Sequence, residues 1–184
     1  MGVDINSYEN YLNGDDSAFV DIVFEYADGL MLYINSFTRD IHVSEEVTEE
    51  VFFKLAVKKP HFRNQSSFKT WLYAIGRNTA LDYLRKNSRQ SCVNIEEAKD
   101  IQEEENVEKL YLKEEQKLKL HTCLKSLRPE YSQVLYLVFF EGFDNAHTAR
   151  IMKKSKRQTE NLIYRAKAAL KSKLEKEGFE YEDI

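Results

Sequence analysis

The run Phe68-Lys69-Thr70-Trp71-Leu72-Tyr73-Ala74-Ile75-Gly76-Arg77-Asn78-Thr79-Ala80-Leu81-Asp82-Tyr83-Leu84-Arg85-Lys86 decides how this chain folds. Phe68, Trp71, Leu72, Ile75 and Leu84 fall on one side of an α-helical repeat, which predicts a helix from about Ser67 to Arg89. A second face carries Lys69, Tyr73, Arg77, Asn78 and Arg85. Cations interleaved with rings suit unpaired DNA, where a base stacked on an aromatic ring gains about 1–3 kcal/mol and its phosphates attract the cations. Trp71 shares its face with Phe68, Leu72 and Ile75, and reads as core packing.

Upstream of this helix the pattern stays helical. Phe19, Ile22, Val23, Tyr26, Leu30, Tyr33, Ile34 and Phe37 recur at steps of three and four, predicting a helix from about Asp16 to Phe37 capped by Asp15, Asp16 and Ser17. A second helix is expected from near Ser44 to just before Pro60, with Val47, Val51, Phe52 and Leu55 inward and Glu45, Glu46, Glu49, Glu50 and Lys54 outward. His61 to Ser66 reads as a loop. The 184 residues hold only two prolines and six glycines, too few for the tight turns of a sandwich or barrel, so the expected fold is all-α.

Residues 90–107 are poor in apolar positions and rich in Glu, Gln, Asn and Ser, and read as a flexible acidic linker. Two small helical domains follow from this, at 1–89 and 108–184. In the second, helices are expected at about 108–126, 130–141, 145–152 and 156–176, with Pro129 opening one and Gly142 closing it. Asn145 to Tyr164 has the layout of a helix-turn-helix: Ala149 at the crossing, Ile151 and Met152 as apolar partners, and Ser155-Lys156-Arg157-Gln158 as a capping box. The second helix then offers Lys156, Arg157, Gln158, Glu160 and Asn161 outward, side chains able to bond guanine, adenine and cytosine edges, with Arg165, Lys167 and Lys171 at phosphate height. Lys153 stands where the turn commonly has glycine, and Thr159 where an apolar residue is usual.

Charge is segregated along the chain. The net charge of −4 conceals blocks of −11 over 1–53, +8 over 54–89, −5 over 90–145, +8 over 146–173 and −4 over the tail. Two matched cationic blocks fit a polyanion contacted at two places, while the acidic segments repel it elsewhere or meet basic proteins. The longest apolar run, Val134 to Phe140, is far short of the roughly 20 residues that span a bilayer, and Met1-Gly2-Val3-Asp4 lacks a signal peptide's basic flank and apolar stretch. A cytoplasmic protein without membrane insertion is expected. Cys92, Cys123 and the scattered His42, His61, His121 and His147 have no metal-ligand spacing, and no phosphate loop or nucleophile elbow occurs, so neither cofactor nor catalysis is expected.

These features together resemble bacterial RNA polymerase sigma factors of the sigma-70 family, in its extracytoplasmic-function (ECF) group. The pattern Phe-x-x-Trp-Leu-x-x-Ile-x-Arg-Asn-x-Ala-x-Asp-x-Leu-Arg at 68–85 is similar to that group's promoter-melting helix, and Glu45-Glu46-Val47-Thr48-Glu49-Glu50-Val51-Phe52-Phe53-Lys54-Leu55 to its core-binding helix. Leu127-Arg128-Pro129-Glu130-Tyr131, the helix-turn-helix and Tyr164-Arg165-Ala166-Lys167 are similar to the domain reading the minus-thirty-five element, with His147 and Thr148 where Glu and Ile are usual. The resemblance implies that Glu45, Glu46, Glu49, Glu50, Phe53 and Lys54 face core RNA polymerase. It further implies that Arg63, Asn64 and Gln65 of the loop hold a flipped base while Lys69, Tyr73, Arg77, Asn78 and Arg85 take the melted minus-ten strand of promoter DNA. Lys156, Arg157, Gln158, Glu160, Asn161 and Arg165 would read the upstream element. A cognate anti-sigma protein holding the two domains closed about the linker is implied by the resemblance alone. A stand-alone helix-turn-helix regulator and a helical protein-interaction adaptor are the alternative readings.

Overall fold

A computed structural model describes residues 5–90 and 120–178. The first set of helices is α1 (Ile5–Leu12), α2 (Asp16–Thr38), α3 (Ile41–Lys58) and α4 (Phe68–Gln90). The second begins with the helical residues 120–126 (α5). It continues with α6 (Pro129–Leu135), which passes into a π-helical turn at Tyr136–Phe140, then α7 (Asn145–Met152) and α8 (Lys156–Lys176). No strand occurs among the described residues. The expected linker lies outside them beyond residue 90.

Local chemistry explains most boundaries. Asp15 caps α2 by accepting from the Ser17 N–H, and Asp40 caps α3 by accepting from the Val43 N–H, so α3 starts three residues ahead of the expected Ser44. Between them Arg39 turns the chain in the left-handed region at φ 63°. Helix α1 was not expected, since a stretch of eight residues is too short to be a stable helix by itself. Tertiary contacts hold it: the Tyr8 hydroxyl donates to the Pro60 carbonyl at 2.9 Å and the Tyr11 hydroxyl to the Ala56 carbonyl at 3.0 Å. In the second set, Pro129 opens α6 and Gly142, at φ 69°, ends the π turn as its position suggested.

One continuous apolar core runs through both sets, from Tyr8, Ile22, Leu30 and Leu72 to Leu135, Leu137, Ile151 and Leu162. Helix α2 crosses α4 closely because Gly76 has no side chain; a Cβ there would lie 2.7 Å from Leu30 Cδ1. Helix α2 also packs on α6, and α4 on α7, so the two sets bury faces against each other. No helix among the described residues is long and apolar enough to cross a membrane.

Candidate nucleic-acid interface

The cationic block at 54–89 is organised around the loop before α4. Ser67 accepts from the Thr70 N–H at 3.2 Å and starts the helix. Ahead of it the loop turns through Asn64 at φ 52° and frames an open pocket of about 680 Å³. Arg63, Gln65 and Ser66 line its rim, and Phe62 and Trp71, with ring centroids 5.1 Å apart, form an aromatic wall. Asn64 is exposed beside the pocket without lining it. Trp71 packs on Phe68, as its shared face suggests, and also on Tyr8 and Phe62, and its half-buried ring faces this pocket. The aromatic wall suits a base ring, and the rim offers amide, hydroxyl and guanidinium groups to its edge.

Along α4 the expected open cationic face is only partly open. Tyr73 is buried, its exposure 1%, and its hydroxyl donates to Glu141 Oε2 at 2.6 Å. Burial and then the Glu141 carboxylate hold the Tyr73 phenol far above its ordinary pKa, so it stays a neutral donor. Lys69 Nζ lies 2.9 Å from the same carboxylate oxygen and donates to the Glu141 carbonyl at 3.0 Å. Arg77 Nε donates to Gln133 Oε1 at 3.0 Å. Asn78 is half-buried, and Arg85 is exposed and pairs with Asp82 at 3.2 Å. Lys69, Tyr73 and Arg77 share one side of α4, and the second set of helices covers that side. Glu141 and Gln133 carry no local signal for this role, because their partners lie 56 to 72 residues away.

The helix-turn-helix is assembled as the spacing suggests. Asp144 caps α7, accepting from the His147 N–H at 2.7 Å, and the His147 ring nitrogen sits 2.8 Å from the same oxygen. The backbone N–H bond and then the His147 ring contact hold the Asp144 carboxyl below its usual pKa. Lys153 takes the left-handed turn at φ 53° in place of glycine, and Lys154 pairs with Glu130 at 3.2 Å, tying the turn to α6. Thr159 is fully buried and its hydroxyl donates to the Ser155 carbonyl at 3.1 Å, which explains how a hydroxyl fits an apolar position. Thr148 is also fully buried, but its hydroxyl has no hydrogen-bond partner among the described residues. Thr148→Val, which removes that orphan at nearly constant volume, is expected to raise stability by about 1 kcal/mol in urea unfolding.

On α8, Lys156, Arg157, Gln158, Glu160, Asn161 and Arg165 are all exposed. Gln158 has a second duty: its Oε1 accepts from the Ser155 N–H at 2.8 Å while its own N–H donates to Ser155 Oγ at 3.2 Å, closing the capping box. On α3, Glu45, Glu46 and Glu49 are exposed and Glu50 pairs with Lys54 at 2.6 Å. Lys54 also donates to Thr79 at 3.3 Å and Glu46 accepts from Tyr83 at 2.9 Å, so these side chains also brace α3 against α4. Phe53 and Val57 continue the same stripe and are 64% and 63% exposed, an apolar strip that follows Glu49 and Glu50 along the helix. Among the described residues no cluster of three His, Cys, Asp or Glu could hold a metal ion.

The family model for Sigma-70 region 2 matches residues 22–90, and the model for Sigma-70 region 4 matches residues 117–170. The RNA polymerase sigma-H factor of Pseudomonas aeruginosa is 30% identical over 179 residues, covering 91% of each chain. The ECF RNA polymerase sigma-E factor of Escherichia coli K12 is 27% identical over 176 residues, covering 91% of this chain and 92% of that protein. In fold, the chain is similar to RpoE in its complex with the anti-sigma factor NepR from Bartonella quintana, with a TM-score of 0.69 and 20% identity over 85% of this chain and 96% of that one. It is similar also to CnrH in complex with the cytosolic domain of CnrY, with a TM-score of 0.67 and 20% identity over 94% and 97%.

Proposed function

The chain belongs to the sigma-70 family of RNA polymerase sigma factors, in the extracytoplasmic-function group, and from that premise we propose which of its surfaces direct promoter-specific initiation. Residues 1–89 form the part that docks on core polymerase and captures the minus-ten element, residues 108–184 the part that reads the minus-thirty-five element, and 90–107 the tether between them. The α3 stripe of Glu45, Glu46, Glu49, Glu50, Phe53 and Lys54 meets the polymerase: its carboxylates suit a basic surface and exposed Phe53 supplies apolar contact. A base unstacked from the melted strand enters the pocket before α4, where Phe62 and Trp71 face its ring and Arg63 and Gln65 its edge. Lys69, Tyr73, Arg77, Asn78 and Arg85 line the path of the following nucleotides.

The α8 residues Lys156, Arg157, Gln158, Glu160, Asn161 and Arg165 enter the upstream major groove. The chain acts in the cytoplasm, where it steers the polymerase's chemistry and performs none itself. The observation that carries this reading is the pairing in one chain of an aromatic-walled pocket beside a cationic helix with a capped recognition helix whose outer side chains, Lys156 to Gln158, Glu160, Asn161 and Arg165, are exposed. In vitro transcription from a fragment library, by core polymerase with and without the chain, tests it. Discrete new start sites are expected only with the chain, and their absence across active core preparations would overturn the assignment.

A further inference from the structure

The two sets of helices meet through the groups assigned to DNA. Glu141 reaches from the end of the π turn into α4, where one carboxylate oxygen holds both Tyr73 and Lys69. The π turn is what aims it: the Glu141 N–H donates to the Tyr136 carbonyl five residues back, and the extra residue in that turn carries Glu141 off the α6 line. The Glu141 side chain is only 10% exposed, so the charge it presents to Lys69 is little screened by solvent. Alongside it Gln133 takes Arg77, Arg150 of α7 donates to the Gln65 carbonyl and stands at the mouth of the loop pocket, and Phe143 packs edge-on against Tyr73 at 5.2 Å. Helix α2 is cut to fit: a Cβ on Gly29 would lie 2.7 Å from the Tyr73 hydroxyl and 3.0 Å from Glu141 Oε1.

We propose that Glu141 is an intramolecular latch that closes the free chain on itself, masking the minus-ten helix until the two sets of helices separate. The inference rests on the DNA assignment above for what is masked, but the closure itself is independent of it. A carboxylate seated on Lys69 and Tyr73 stands where a phosphate and a base would, and a strand cannot occupy that place while it remains. The apparent affinity of the free chain for single-stranded DNA is then its intrinsic affinity reduced by the fraction open.

Two variants separate latch from fold. Glu141→Gln keeps the shape and removes the charge. Gly29→Ala adds the Cβ that displaces the Tyr73–Glu141 pair, at a mid-helix position where alanine favours the helix, so failure to fold is not its expected outcome. Small-angle X-ray scattering of the full chain is expected to give a larger radius of gyration for both than for wild type, with circular dichroism unchanged. Their affinity for a fluorescent single-stranded oligonucleotide pool is expected to rise about tenfold, the scale of losing one hydrogen bond to a charged group. Wild-type radius and wild-type affinity in both variants would overturn the latch, and so would expansion without tighter binding when wild type itself binds the pool measurably. If wild type programs core polymerase while the variants stay closed, the latch fails and the sigma-factor surfaces stand. If the variants expand but neither they nor wild type bind the pool or program core polymerase, the closure stands and the inhibition falls with the DNA assignment.

Discussion

Trp71→Ala is expected to lower stability by about 3 kcal/mol and to abolish capture of the melted strand, whereas Trp71→Phe should keep most of the stability and lose only part of the capture. The first effect comes from packing. The Trp71 ring lies 5.1 to 5.6 Å from the rings of Phe62, Phe68 and Tyr8, so truncation removes the shared wall of an aromatic cluster and leaves a cavity that backbone movement fills only in part. The half-buried state of the ring places the value near the low end for tryptophan truncation. The second effect comes from the pocket, where the same ring is one side of the space proposed for an unstacked base. Phenylalanine keeps a stacking face but a smaller one. Trp71 is the chain's single tryptophan, so its own fluorescence reports directly on the site. Binding of a single-stranded minus-ten oligonucleotide is expected to quench it, and urea unfolding followed by circular dichroism checks the stability of both variants. A Trp71→Ala protein within 1 kcal/mol of wild type, or strand binding that leaves the emission unchanged, would remove the double role.

Where local chemistry decides structure, the sequence could be read closely. The Ser155 capping box lies within four residues, and α8 runs over the expected residues. Lys153 and Thr159 looked like departures from a helix-turn-helix, yet each is accommodated by a local device, a left-handed turn in one case and a hydroxyl bond to the preceding turn in the other. Helix α1 was not legible because its stability comes from two tyrosine hydroxyls reaching the end of α3, 45 and 52 residues on. The π turn was hidden for a related reason. Val134 to Phe140 is uniformly apolar or aromatic, so its pattern is compatible with either helix period, and Glu141 finds its partners in another set of helices. The cationic face of α4 shows the limit most clearly. Periodicity places Tyr73 beside Lys69 and Arg77, but a repeat of 3.6 residues says which side chains share a face and nothing about what covers it.

The recognition helix carries the second large expectation, and the cap geometry divides two adjacent residues that look equivalent in sequence. Arg157→Ala is expected to weaken binding to the preferred upstream element by roughly 5- to 150-fold, equivalent to about 1–3 kcal/mol, and to relax preference at one base pair. Arg157 is exposed at the start of α8, where a recognition helix presents its side chains to base edges. Gln158 sits next to it and an amide suits adenine, but its Oε1 is already the acceptor for the Ser155 N–H. A bidentate contact needs both amide atoms turned to one base edge, so reading adenine competes with the cap that orients this side chain along the start of the helix. Gln158→Ala should therefore cost helix stability and weaken all sequences alike, leaving base preference close to wild type. Selection of bound sites from a randomised upstream element, using the holoenzyme, separates the two: the Arg157→Ala library should lose information at one position, and the Gln158→Ala library at none. Loss of preference in the Gln158 variant would mean that the capping box opens on DNA and releases the amide to the groove.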